Sequence, residues 1–315
     1  MRKFFLLLLF LMAIAILYFY LTKVNTDYAF YHWKQNYKNT EMTEPKYIKV
    51  MDIGYESKSK IHLTKFKVKP RHKIVPVIYI DNPIFKHENA KKFAKKLFLL
   101  LEEQAKNTFY YHEVQIDCDW TDSTKEAYFL FLKTFKVLSK KQLSTTIRLH
   151  QIKYHKRTGV PPVDKGVLMY YNMSNFKDLE TKNYILDLKL AQQYHHNFDT
   201  YPLKLDLALP LYAQATVIRF EEVVSIIEGV RKEDLNTHFK ALKQNHYQIT
   251  KTHYLKKRLL YKDDILRIDE VSIDELKQAI KNLKEVMKQP EEIIFYRWGN
   301  KKFYGEENLK KVTNW

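Results

Sequence analysis

Gln115-Ile-Asp-Cys-Asp-Trp-Thr121 reads as a short strand in which Gln115, Asp117 and Asp119 share one face and Ile116, Cys118 and Trp120 share the other. Two carboxylates one strand step apart, at roughly 7 Å, repel each other and raise one pKa. Such a pair calls for a cation, a substrate or a metal. Cys118, the one cysteine of the chain, packs behind the carboxylates as a small apolar residue, and no internal disulfide can form.

Outward from this segment, apolar strand-like runs alternate with helical patterns, the order of a parallel α/β fold. The runs Tyr28–Trp33, Tyr47–Ile53, Ile74–Ile80, Glu113–Trp120, Thr145–Gln151, Val167–Asn172, Lys204–Tyr212 and Ile293–Trp298 make eight candidate strands. Helices are expected over Glu88–Lys106, Thr124–Leu138, Leu179–Tyr194, Phe220–Gly229 and Ile273–Lys288. Ser123 with Glu126 and Ser272 with Glu275 have capping-box spacing. Stretches 34–46, 54–73 and 152–166 carry no helical stripe, and the last holds Gly159-Val-Pro-Pro162. The expectation is an α/β chain forming an irregular (β/α)8 TIM-like barrel, short of some outer helices, over residues 23–315, with an insertion around 230–271.

Before it, residues 1–22 carry an unbroken apolar run, Phe4–Leu21, behind Arg2 and Lys3. Its length suits an uncleaved transmembrane signal anchor, with the large domain outside the cytoplasm in a single-pass arrangement; secretion after cleavage is the alternative. The net charge of +18, from 54 Lys+Arg against 36 Asp+Glu, is spread along the chain. It reads as a solvated basic surface that can meet anionic lipid head groups. No nucleic-acid-binding pattern accompanies it, so nucleic acid is not an expected partner. The six glycines form no dinucleotide or phosphate loop, and no Gly-x-Ser-x-Gly elbow or zinc-type His/carboxylate spacing occurs. No cofactor and no metal are expected.

In a barrel, the carboxyl ends of the strands form the functional face. On the fifth strand Thr146, Arg148 and His150 share a side, so Arg148 can meet the carboxylates of the neighbouring strand. An adjacent guanidinium holds an aspartate ionised, whereas burial alone would raise its pKa. A buried ion pair filling the barrel and a reactive pair both fit Arg148 and Asp117. Asp119, nearer the strand end, is the stronger candidate for chemistry.

Ile116-Asp-Cys-Asp-Trp120 resembles the fourth-strand motif of the chitinase-like, family 18 glycoside hydrolases, an Asp-x-Asp followed by an aromatic residue and then an acid Glu. Met169-Tyr-Tyr-Asn172 is similar to that family's sixth-strand Met-x-Tyr-Asp, and Leu207-Ala-Leu-Pro-Leu-Tyr212 to its seventh-strand run ending in Pro-x-Tyr. Trp298 resembles the Trp that floors the sugar subsite. The likeness spans about residues 110–215 and the end of the chain, in the family's order.

The resemblance implies a TIM barrel without cofactor that acts on N-acetylated or related polysaccharides by substrate-assisted hydrolysis. The orienting role would fall to Asp119, with Asp117 behind it, while the acid position falls on Thr121. A hydroxyl cannot serve as the acid near neutral pH. Asn172 stands where the family has Asp. Two readings follow. In one, hydrolysis survives with Asp119 or Asp122 as displaced acid and with Tyr171, Asn172, Tyr212 and Trp298 holding the sugar. In the other, the barrel is a non-catalytic, membrane-tethered glycan-binding or envelope-organising protein. Retention of both Asp117 and Asp119 favours hydrolysis, provided the cleft offers a carboxylic acid where the missing Glu would reach.

Overall fold

The computed structural model describes residues 26–39 and 41–315. The apolar run read as a membrane anchor lies outside the described residues, among which no helix is long and apolar enough to cross a membrane.

Eight parallel strands close on themselves: β1 (Asp27–His32), β2 (Tyr47–Tyr55), β3 (Val75–Ile80), β4 (Glu113–Asp117), β5 (Gln142–Arg148), β6 (Lys165–Met169), β7 (Leu205–Pro210) and β8 (Glu292–Tyr296). Each pairs with its sequence neighbours, and β1 pairs with β8 on one side and, through Tyr31↔Tyr47 and His32↔Ile48, with β2 on the other. Val114, Ile116, Val167, Leu168, Leu207, Ile293 and Ile294 are all fully buried. Such continuous apolar runs mark strands covered on both faces, as a closed parallel sheet with outer helices requires. At Gly166 an added Cβ would come within 2.8 Å of Ile147 Cγ1 and Leu205 Cδ2, so β6 needs glycine to sit this close to its neighbours.

The outer layer is incomplete, as the polar stretches foretell. Helices α1 (Ala90–Ala105), α2 (Lys125–Ser139) and α3 (Ile273–Lys284) cover the barrel with buried stripes such as Leu276, Ala279, Ile280 and Leu283. Ser272 and Glu275 form the expected capping box. Ser123 does not cap α2: Thr124 takes the N-cap position, and its Oγ1 donates to Asn82 Oδ1 at 2.6 Å. After β2 the chain folds back as an antiparallel strand, Ser59–Leu63, where a helix would stand in a regular barrel.

Of two expected helices, one is cut to a short turn and the other is a strand. Over Leu179–Tyr194 only Leu188–Gln192 is helical. Upstream, the carbonyls of Phe176 and Asp178 accept hydrogen bonds from the buried guanidinium of Arg267, and Asn183 Oδ1 receives the Ile185 amide, which together hold the segment as a loop. Phe220–Gly229 is instead strand Glu222–Glu228, paired antiparallel with Gln214–Arg219 across a two-residue turn at Phe220 and Glu221, whose φ values are 49° and 61°. Paired positive φ values match the twist of a hairpin, and Val223, Val224, Ile226 and Ile227 are β-branched strand formers. This hairpin opens a five-stranded antiparallel sheet that also contains Phe239–Ala241, His246–Ile249 and Ile265–Asp269. The stretch read as an insertion around 230–271 therefore belongs to a unit that begins at Gln214, between β7 and α3. Its small core includes Ala215, Val217, Ile249 and Leu266.

At the amino ends of the barrel strands, Lys165 Nζ reaches Asp206 Oδ2 at 2.8 Å and Glu113 Oε2 at 3.1 Å. Ser144 Oγ donates to Glu113 at 2.6 Å. The reactive-looking residues lie at the other end.

Candidate active site at the barrel mouth

Strand β4 ends at Asp117, yet the next residues keep its alternation. Cys118 and Trp120 stay buried, with Trp120 stacked on Tyr128 at 5.5 Å and its Nε1 donating to the Thr158 carbonyl. That buried edge turns Asp117 and Asp119 toward the mouth, a hollow of about 350 Å³. The volume is of the size that takes a small ligand.

Asp117 is 8% exposed, and Thr146 Oγ1 donates to its Oδ1 at 2.6 Å. Burial and then the Asp119 charge push its carboxyl up to about 6, against the pull of Thr146, Arg148 and Lys49. Asp119 is half-exposed and engaged by Arg148 through two hydrogen bonds, Nε to Oδ1 and Nη2 to Oδ2. Burial acts against the guanidinium charge, but Asp119 outweighs it and leaves the Arg148 pKa above its usual value. Planar fork-to-fork pairing fixes both groups.

Aromatic rings make most of the wall. Tyr171 stacks on Tyr296 at 5.5 Å with an interplanar angle of 13°, and Tyr212 meets Tyr296 edge to face at 5.6 Å. Trp33 packs edge-on against Tyr79 and Tyr296. Tyr212 Oη donates to Asn172 Oδ1, and Asn172 adopts φ 55°, a left-handed conformation that asparagine tolerates. Burial pushes the Tyr171 and Tyr212 hydroxyls well up, so both remain neutral donors.

The mouth thus gathers Asp117, Asp119, Arg148, Tyr171, Asn172 and Tyr212. Two other expected site residues fall elsewhere. Asp122 does not line the hollow; it is 62% exposed, with Arg157 Nε 3.6 Å from its carboxylate. The chain turns into α2 here, and the turn is tied by Thr121 N donating to Thr124 Oγ1. Trp298 is buried in a 3-10 turn after β8 and lines a neighbouring hollow. Tyr296 and Trp33 line the mouth, and Trp298 does not.

Residues not singled out from the sequence complete the mouth. Trp33, Tyr79 and Tyr296 stand at or next to the carboxyl ends of β1, β3 and β8, so the strand-end rule applied to every strand would have found them. Glu228 comes from the sheet inserted after β7 and pairs with Arg297. Reading its segment as a helix hid it.

Solved structures share this architecture. The spore cortex-lytic enzyme SleL of Bacillus cereus superposes with a TM-score of 0.56 at 14% identity, over 93% of this chain and 75% of that one. The C-terminal domain of a candidate chitinase from Desulfitobacterium hafniense gives 0.53 at 12% identity, over 85% of this chain and 88% of that one. The fold is chitinase-like. No protein-family model matches the sequence, and no curated protein does. At these identities the likeness establishes the barrel, and the residues at its mouth must carry any statement of function.

Proposed function

We propose that this protein is a carbohydrate-binding barrel that keeps a glycosidase-like cleft without glycoside hydrolysis. One observation carries the reading: the carboxylate that would orient the substrate, Asp119, already has both oxygens engaged by Arg148. A carboxylate so clamped is poorly placed either to deliver a proton or to turn toward an acetamido group. The motif's acid position holds Thr121, whose Oγ1 lies 3.2 Å from Thr124 Oγ1 and 3.1 Å from Ser123 Oγ. Asp122, the other candidate for a displaced acid, faces Arg157 on the rim.

Binding asks only for what the mouth contains. Tyr296, Tyr171, Tyr212 and Trp33 offer ring faces and edges to the apolar side of a sugar, while Asn172 and the tyrosine hydroxyls offer hydrogen bonds. Tethering to a membrane by the N-terminal run would place this cleft at an envelope surface, with N-acetylated polysaccharides among its ligands.

Asp117 favours a second reading, in which hydrolysis persists. A carboxyl raised to about 6 can exchange a proton near neutrality. At 8% exposure it offers a leaving oxygen little access. Titration calorimetry of the full chain with N-acetylglucosamine oligosaccharides, followed by chromatography of the recovered sugars, tests the choice. Saturable binding with intact ligand supports the binding barrel; shortened ligand supports hydrolysis.

A further inference from the structure

The mouth occupies one end of the barrel, and the other end carries a basic surface. The connections that enter β3, β4 and β5 there, residues 67–73, 106–112 and 140–141, contain seven lysines and arginines and no aspartate or glutamate. At the mouth the sign reverses: residues 81–83 and 118–124, leaving β3 and β4, hold Asp81, Asp119 and Asp122 and no lysine or arginine. Backbone pairing sets the three basic connections side by side. The Ile74 amide donates to the Tyr110 carbonyl and the Gln142 amide to the His112 carbonyl, each at 3.0 Å. Lys73 Nζ lies 2.8 Å from His112 Nε2, and Lys141 Nζ is 5.5 Å from the centre of the Tyr111 ring. Arg71 is answered by Glu44, whereas Lys67, Lys69, Lys73, Lys106, Lys140 and Lys141 have no carboxylate partner among the described residues. A one-signed cluster of this kind raises a positive potential that the protein does not neutralise.

Two further observations say what the surface meets. Tyr110, in the middle connection, is 81% exposed, and Val68, between Lys67 and Lys69, is 40% exposed. Exposed tyrosine among lysines suits a membrane–water interface, where the ring lies at head-group level. The second observation is the point of entry of the chain. Thr26 stands directly before β1, at this same end, and its Oγ1 accepts a hydrogen bond from Gln289 Nε2 at 3.0 Å. From Leu21 to Thr26 the chain can reach at most about 18 Å. The apolar run Phe4–Leu21 is therefore tied by its connectivity to the basic end and away from the mouth.

We infer that this amino-end face of the barrel rests on a bilayer containing anionic phospholipid, with the mouth held away from it. The inference rests on the membrane tether proposed above, not on the glycan reading, and adds the contacting face and the lipid class. The lysines meet head-group phosphates, while Tyr110 and Val68 enter the interface between them. Tether and basic patch together fix the orientation, as neither would alone.

The test uses the full chain reconstituted into vesicles of phosphatidylcholine, alone or mixed with phosphatidylglycerol. Asn107→Cys on the basic face and Ser123→Cys on the mouth side, both exposed, are each labelled with a small fluorophore; Cys118, 1% exposed, does not compete for the label. A lipid with a nitroxide on its head group quenches whichever label lies at the surface. In the mixed vesicles the label at 107 is expected to be quenched at least about 3-fold more than the label at 123. High salt, or the variant Lys67→Gln/Lys69→Gln/Lys140→Gln/Lys141→Gln, is expected to bring that quenching down to the level seen in phosphatidylcholine alone. Equal or stronger quenching at 123 overturns the orientation. Quenching at 107 that is the same in both lipids, or that survives loss of the four lysines, overturns the anionic-lipid contact and leaves the tether standing. Recovery of the full chain apart from both kinds of vesicle overturns the tether and this inference with it, and leaves the glycan reading untouched.

Discussion

The guanidinium of Arg148 grips Asp119 through two parallel hydrogen bonds, 2.8 Å from Nε to Oδ1 and 2.7 Å from Nη2 to Oδ2. The pair joins the end of β5 to the segment just beyond β4, on the same mouth that Asp117 lines. One cation thereby governs two carboxylates: it fixes the outer one directly and pulls the inner one toward ionisation from a distance.

Removing that cation should move Asp117 upward. Arg148→Met deletes a charge that lowers the Asp117 pKa, so its midpoint is expected to rise above the present value of about 6. A carboxyl-carbon NMR titration of wild type and variant measures the shift directly. An unmoved midpoint would mean that Arg148 acts on Asp119 alone.

Asp117 itself should cost stability at neutral pH. Its folded pKa of about 6 lies above the ordinary 3.8, so the native state holds its proton more tightly than the unfolded chain does. Stability from this group is therefore fully present below about pH 4 and lost as pH rises through 6. The loss at pH 7 is on the order of 3 kcal/mol at most, from a shift of about two units. Asp117→Asn keeps the acceptor for Thr146 and removes the buried charge; it should be more stable than wild type at pH 7, with the gap narrowing between pH 6 and 4. Urea denaturation across that range checks both sign and window.

Trp33→Ala should weaken glycan binding about 10-fold, the scale of a lost aromatic contact surface. Trp33 is only partly buried and lies on the mouth wall, so thermal unfolding should change much less than affinity. An unchanged affinity by calorimetry would place the sugar elsewhere.

At the opposite end of the barrel, Lys165→Ala should destabilise the fold by about 3–5 kcal/mol, because Asp206 and Glu113 would be left buried without their cation. Glycan affinity of the surviving folded fraction should be unchanged. Equal stability of variant and wild type in denaturant would show that water or rearrangement replaces the ammonium.

Much of the barrel was legible because its strands are short apolar runs with polar or helical separators, a pattern set by burial on both faces. The facing of Asp117 and Asp119 followed from period-two alternation, and Arg148 from the same rule one strand later. Period alone failed where another element imposed the conformation. Arg267, fully buried, captures two carbonyls of the loop at 176–178 from 89 and 91 residues away in sequence, which no local window contains. The Phe220-Glu221 turn lacks the Asn-Gly chemistry that announces a hairpin, so Glu222–Glu228 resembled an amphipathic helix and Glu228 was missed. The placement of Asp122 and Trp298 was harder to read, because each stands beyond a strand end, where the chain turns.

The most direct test of the central claim is product release by the unaltered protein. Full-length chain, incubated to equilibrium with an oligosaccharide that calorimetry has shown it to bind, is assayed for new reducing ends beside Asp119→Asn and Asp117→Asn. The clamped Asp119 predicts bound, uncut ligand and no release above buffer for all three proteins. Release by wild type that either substitution abolishes would contradict it and restore the aspartates as catalytic groups.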